Sequence, residues 1–130
     1  MTYYAHSATL RILDAPDLHE EITLKTGMQP SHAHKIGEEK TPGAAWDNSI
    51  WMLESPLGPQ AEISEHLEWL WRQVRPHVSY FKGLKTSGVK LDIFCGFRTD
   101  TDTGGFSIEP SALAIVTELQ IPIEVSVIVV

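Results

Sequence analysis

The densest run of reactive side chains in this 130-residue sequence is RTDTDTGGFS, residues 98–107, in which Asp100 and Asp102 flank a threonine ahead of a glycine pair. Carboxylates at that spacing suit a calcium loop or a D-x-D phosphoryl-transfer nucleophile. An EF-hand-type loop needs oxygen ligands at alternate positions and a bidentate glutamate at the twelfth. Counted from Asp100, the fifth position is Gly104 and the twelfth is Ser111, while Glu109 falls two residues early. A D-x-D nucleophile is followed by a long α/β domain, and too little chain follows Asp102. Threonine and aspartate side chains make local turns, and paired glycines reverse the chain without steric cost. The expectation is a turn, with both aspartates exposed and no essential ion.

The second candidate is SHAHK, where His32 and His34 share one side of an extended segment. Zinc sites use such pairs but need a third ligand, which His6, Glu38 or Asp47 would have to bring by tertiary contact. Exposed histidine pairs near loops are common, so no metal site is expected. His6, beside Tyr3 and Tyr4, is expected at the start of the first strand. His19, His66 and His77 are expected in solvent, on helical segments outside the apolar stripe. Nucleophilic and phosphate-binding motifs are missing: there is no G-x-S-x-G, glycine phosphate loop or H-E-x-x-H. Ser64 and His66 share a helix with side chains pointing apart. Cys95, the single cysteine, excludes an intrachain disulfide and reads as a buried hydrophobe within LDIFCGF. No catalytic residue, cofactor or metal ligand is assigned.

The elements that hold these residues follow from periodicity. Residues 7–13 alternate, with Ala8, Leu10 and Ile12 on one side and Ser7, Thr9 and Arg11 on the other. A short helix follows, with Asp17 as a plausible N-cap and Gly27 at its end. Pro30 then forces an extended segment. GEEKTPGA is a polar loop before AAWDNSIWMLE, which carries Trp46, Ile50 and Met52 on one face and Trp51 and Leu53 on the other. From Ala61 the longest helix holds Ile63, Leu67, Leu70, Val74, Val78, Phe81 and Leu84 in one phase, with a kink at Pro76. Val89 to Phe97 alternate as a strand. A third short helix begins at Pro110, and IPIEVSVIVV closes the chain. The order β-α-β-β-α-β-α-β makes one α+β domain over residues 1–130. It is a two-layer sandwich related to the ferredoxin-like plan, with an antiparallel or mixed sheet covered by helices on one face. A weak echo between LKTGMQPS and VTELQIPI hints at duplication and is equally explained by shared helix-to-strand turn chemistry.

Composition narrows the partners. Seventeen acidic residues against ten basic give a net charge of −7. That argues against nucleic acid and suits a basic protein. No apolar run approaches the ~20 residues of a membrane helix, and MTYYAHSATLR has no signal-peptide character. A soluble, cytoplasmic protein is expected.

The tryptophan strand AAWDNSIWMLES, the helix ISEHLEWLWRQVRP, the strand KLDIFCGF and the closing GGFSIEPSALAIVTELQIPIEVSV together resemble the bacterial domain of unknown function 4279 family. The similarity spans nearly the whole chain, less strongly at its N-terminal part. It implies a small cytoplasmic α+β domain and brings no catalytic or binding residues.

Function is therefore expected to lie in a surface: a non-enzymatic interaction module, accessory or immunity-type, in a bacterial cytoplasm. Its candidate partner surface is Arg11, Trp51, Trp71, Asp92 and Arg98, since exposed tryptophans concentrate binding energy. Charges of both signs on the polar sheet face could equally pair across strands. The alternative is a small-molecule or metal-dependent enzyme using His32 and His34. IPIEVSVIVV carries one charge and is β-rich, so a bare edge there would invite another chain. It is expected inside the sheet, or closed by a second subunit in a homodimer.

Overall fold

The computed structural model describes residues 3–130. Strand β1 (Tyr4–Leu13) runs through the middle of a five-stranded sheet, and its Ala8, Leu10 and Ile12 are fully buried. It pairs antiparallel with β5 (Ile50–Glu54) on one side and with β6 (Lys90–Thr99) on the other. The short β2 (His32–His34) adds to β5, and β7 (Ile123–Val129) runs parallel to β6, giving the order β2-β5-β1-β6-β7. The sheet is open and mixed. A separate hairpin joins β3 (Glu39–Thr41) to β4 (Ala44–Ala45) within the segment read as a polar loop.

Three helical units cover one face. The first is α1 (His19–Thr26), which ends where Gly27 turns left-handed at φ 71° and donates its N–H to Thr23 O. Asp17 is not its N-cap. It lies inside a 3-10 turn, Pro16–Leu18, that runs straight into the helix. The second unit is α2 (Ile63–Val74) followed by α3 (Val78–Thr86), with Pro76 in the 3-10 turn Arg75–His77 between them. Proline has no N–H to give and would clash in a helix interior, so the turn tightens there. The apolar phase survives the bend: Ile63, Leu67, Leu70, Val74, Phe81 and Leu84 are all buried against the sheet. The third unit is a 3-10 turn, Pro110–Leu113, and α4 (Ala114–Leu119), which make the crossover that a parallel β6–β7 pair requires.

The core lies between this layer and the inward rows of β1, β5 and β6. Trp51 is at its centre, wholly buried, with its indole N–H 3.3 Å from Thr23 Oγ1. Among the described residues the other face of the sheet carries no helix.

β7 departs from the first of its two expected arrangements, a place inside the sheet. Among the described residues it pairs with β6 alone, so it is an edge strand and not an interior one. Only Ile121 and, in part, Ile123 reach the core. The helix layer stops short of the remainder, leaving Val125, Val127 and Val129 49%, 58% and 56% exposed.

Candidate functional site

The 98–107 stretch is a turn. Asp100 and Asp102 are exposed. The Asp100 carboxylate accepts the Tyr3 N–H at 2.9 Å, and Thr99 Oγ1 donates to Tyr3 O at 3.1 Å, so the turn pins Tyr3 beside β6. Thr101 Oγ1 sits 3.2 Å from Thr99 Oγ1. The oxygens of Thr99, Asp100 and Thr101 bond one another and the backbone.

His32 and His34 meet as the spacing implied, on the open side of the sheet, and they face each other. His32 Nε2 is 2.8 Å from His34 Nδ1, and His34 Nε2 is 2.9 Å from Asn48 Oδ1. The amide oxygen only accepts, so His34 Nε2 is the donor to it; with a neutral His34 ring, Nδ1 is then the acceptor from His32. Trp46 stacks on His34 at 3.6 Å and 5°, and Lys40 Nζ lies 4.7 Å from the Trp46 ring. A zinc ion between the two rings would need both nitrogens ~2.0–2.1 Å from the metal, so the hydrogen bond would have to open. No group of three metal-ligating side chains occurs among the described residues. His6, Glu38 and Asp47 supply no third ligand.

His19 and His66 correct the expectation of solvent exposure, whereas His6 lies at the start of β1 as expected. His19, His66 and His6 are buried, each with an Nε2 that has no hydrogen-bond partner. His66 Nδ1 lies 2.8 Å from Ser55 Oγ, and His6 Nδ1 lies 3.0 Å from Ala61 O. These contacts fasten the β5–α2 connection to the helix and to β1. Burial, with His6 nearby, pushes His66 below the ordinary imidazole range, and the Gly58 carbonyl offsets this only partly. Burial and the Lys35 ammonium do the same to His19. The Nε2 atoms are buried, while His6 and His66 as residues border a hollow on the sheet surface. The Cys95 thiol is pushed up to about 11 by burial, as an inert core cysteine should be.

The predicted partner residues divide between two faces. Trp51 is core and offers nothing to a partner. Its parity with Leu53 on β5 turns it under the helices. Trp71 is half-buried on α2, packed against the core from the helix side. Arg11, Asp92 and Arg98 lie on the open face, where Arg11 and Asp92 pair as cross-strand neighbours. Asp92 is buried, and Arg11 also lies 4.8 Å over the Phe94 ring. Arg98 is exposed beside a hollow of about 390 Å³ formed with Ser7, Glu54, Phe94, Gly96 and Ser126. A Cβ at Gly96 would come 2.7 Å from Ser7 Oγ, so glycine is what lets the hydroxyl sit at the floor of the hollow.

The most distinctive surface lies apart from those five residues, at the outer edge of β7. Ile93 N bonds Pro122 O at 3.0 Å, and Val130 N bonds Thr99 O at 2.9 Å. In a parallel ladder alternate residues of each strand face the neighbour, so the even residues of β7 serve β6. The N–H and C=O groups of Ile123, Val125, Val127 and Val129 point away from the sheet. Their side chains lie on the helix side, in register with Ile93, Cys95, Phe97 and Thr99. The signal in the sequence was the apolar, nearly uncharged closing strand. Its place in the strand order was not there to read.

Among the described residues no helix is long and apolar enough to cross a membrane. No curated protein and no solved structure matches the chain. A family model described as Domain of unknown function (DUF4279) matches residues 2–130. By that match over nearly its full length, the chain belongs to the DUF4279 family.

Proposed function

We propose that this chain is a non-enzymatic protein-interaction module that receives a partner by strand addition at the β7 edge, acting as an accessory or immunity-type protein in a bacterial cytoplasm. One observation carries the reading. β7 presents a row of unpaired backbone groups beside a row of uncovered valines. Natural proteins blunt such edges with lysine, proline, bulges or a covering loop. Between Ile123 and Val129 there is one charged residue, Glu124, no proline, and an unbroken register with β6. Main-chain hydrogen bonds would supply affinity and the valine row specificity, as in other strand-addition complexes.

The enzyme alternative draws less support. His32 and His34 spend nitrogens on each other and on Asn48, and the Nε2 atoms of His19 and His66 are buried, although His66 borders the hollow beside Arg98.

The test is native purification of the chain and of Val127→Pro from the same host, with masses read by native mass spectrometry. The Val127 N–H faces away from β6, so proline there removes no bond within the sheet. The reading predicts a complex for the unmodified chain and free protein for the variant. Identical complexes from both, or free chain from both, would contradict it.

A further inference from the structure

We propose that the occupant of the β7 edge is a second copy of this chain, paired antiparallel in full register about a twofold axis at Ser126. The proposal rests on the strand-addition reading above and names its partner. Each element of the edge is self-complementary in that register. Ile123 faces Val129 of the second copy, and Val125 faces its Val127. These are the residues whose N–H and C=O groups point outward, so every facing pair exchanges hydrogen bonds. The axis stands normal to the sheet, which places both valine rows on the same side. Val125, Val127 and Val129 of each copy, left bare by their own helix layer, then cover one another. The two five-stranded sheets join into one continuous sheet.

Charge favours this occupant over a basic peptide. The chain carries −7 overall, but β7 holds a single ionic side chain. In the full register Glu124 lies opposite Ile128 of the second copy, with Ser126 opposite Ser126 on the axis. No like charges meet at the seam, whereas a basic strand would find only Glu124 to pair with. Apolar β-branched residues directly opposite each other stabilise an antiparallel pair. The hollow bordered by Ser126 and Ile128 on the open face lies beside the axis, so the dimer carries two such hollows next to each other.

The experiment is sedimentation velocity on the purified full chain over a wide concentration range, with Val127→Pro and Val127→Lys in parallel. The expected result is a species of twice the chain mass for the unmodified protein. Both variants should sediment as monomers with unchanged far-ultraviolet circular dichroism. The lysine variant keeps the test decisive should proline disturb the strand. A chain that remains monomeric at its highest concentration, or a dimer that survives both substitutions, overturns the proposal. A monomeric pure chain that forms a Val127-dependent complex with another protein in native extract overturns the second copy alone. Absence of any Val127-dependent complex overturns strand addition as well.

Discussion

Arg11 and Asp92 face each other across β1 and β6, with the guanidinium Nε 2.7 Å and Nη2 2.6 Å from the two carboxylate oxygens. The pair sits on the uncovered side of the sheet, yet Asp92 is only 6% exposed. Its fork geometry fixes the β1–β6 register on that face and holds Arg11 in its charged form.

Removing one partner should therefore strand the other. Breaking a fully buried pair costs about 3–5 kcal/mol, and the Arg11 side chain retains 24% exposure. Arg11→Met is expected to lose about 2 kcal/mol in urea unfolding once solvent screening is allowed for. The double variant Arg11→Met/Asp92→Leu should recover part of that loss. Additive losses would mean that the pair is not coupled.

Acid should weaken the fold through His66 and His19. Both have their pKa lowered in the folded state by burial. The unfolded chain therefore takes up protons first as pH falls below the ordinary imidazole value of about 6.5. Their contribution is complete above that pH and is lost as pH falls through the folded values. Melting temperature should drop between neutral pH and the range where carboxylates titrate, and His66→Gln should flatten part of the slope. An unchanged slope would remove His66 from this account.

The same two histidines show how the sequence misleads. His66 stands three residues after Ile63 and four before Leu70, inside the buried phase of α2, and His19 stands three before Ile22 in α1. Their spacing puts both on the inner face, against the general tendency of polar side chains to stay exposed. The alternation of β1 and the bend at Pro76 were legible because they are local. The Arg11–Asp92 pair, the separation of Trp51 from Trp71, and the edge position of β7 depend on strand order and register. Those are set by which layers pack together.

The two tryptophans should differ sharply. Trp51→Ala empties the centre of the core and is expected to cost about 3–5 kcal/mol. Trp71→Ala, half-buried at the rim, should cost about 1 kcal/mol and leave self-association unchanged. Equal losses in chemical denaturation would contradict their placement.

His34→Ala should release Trp46 from its stack and cost about 1–2 kcal/mol, with the fluorescence of that indole moving to the red. Zinc or calcium added to the unmodified protein should leave the melting temperature unchanged, because a tightly bound ion would raise it. A rise abolished by His32→Ala would restore a metal reading for this cluster.

Whether the β7 edge is occupied is tested most directly by amide hydrogen exchange resolved by residue. Ser126 and Ile128 donate toward β6 in any assembly, while Val125, Val127 and Val129 donate outward. In concentrated unmodified protein the account predicts slow exchange at all five. Slow exchange at Ser126 and Ile128 with loop-like rates at the three valines would contradict it.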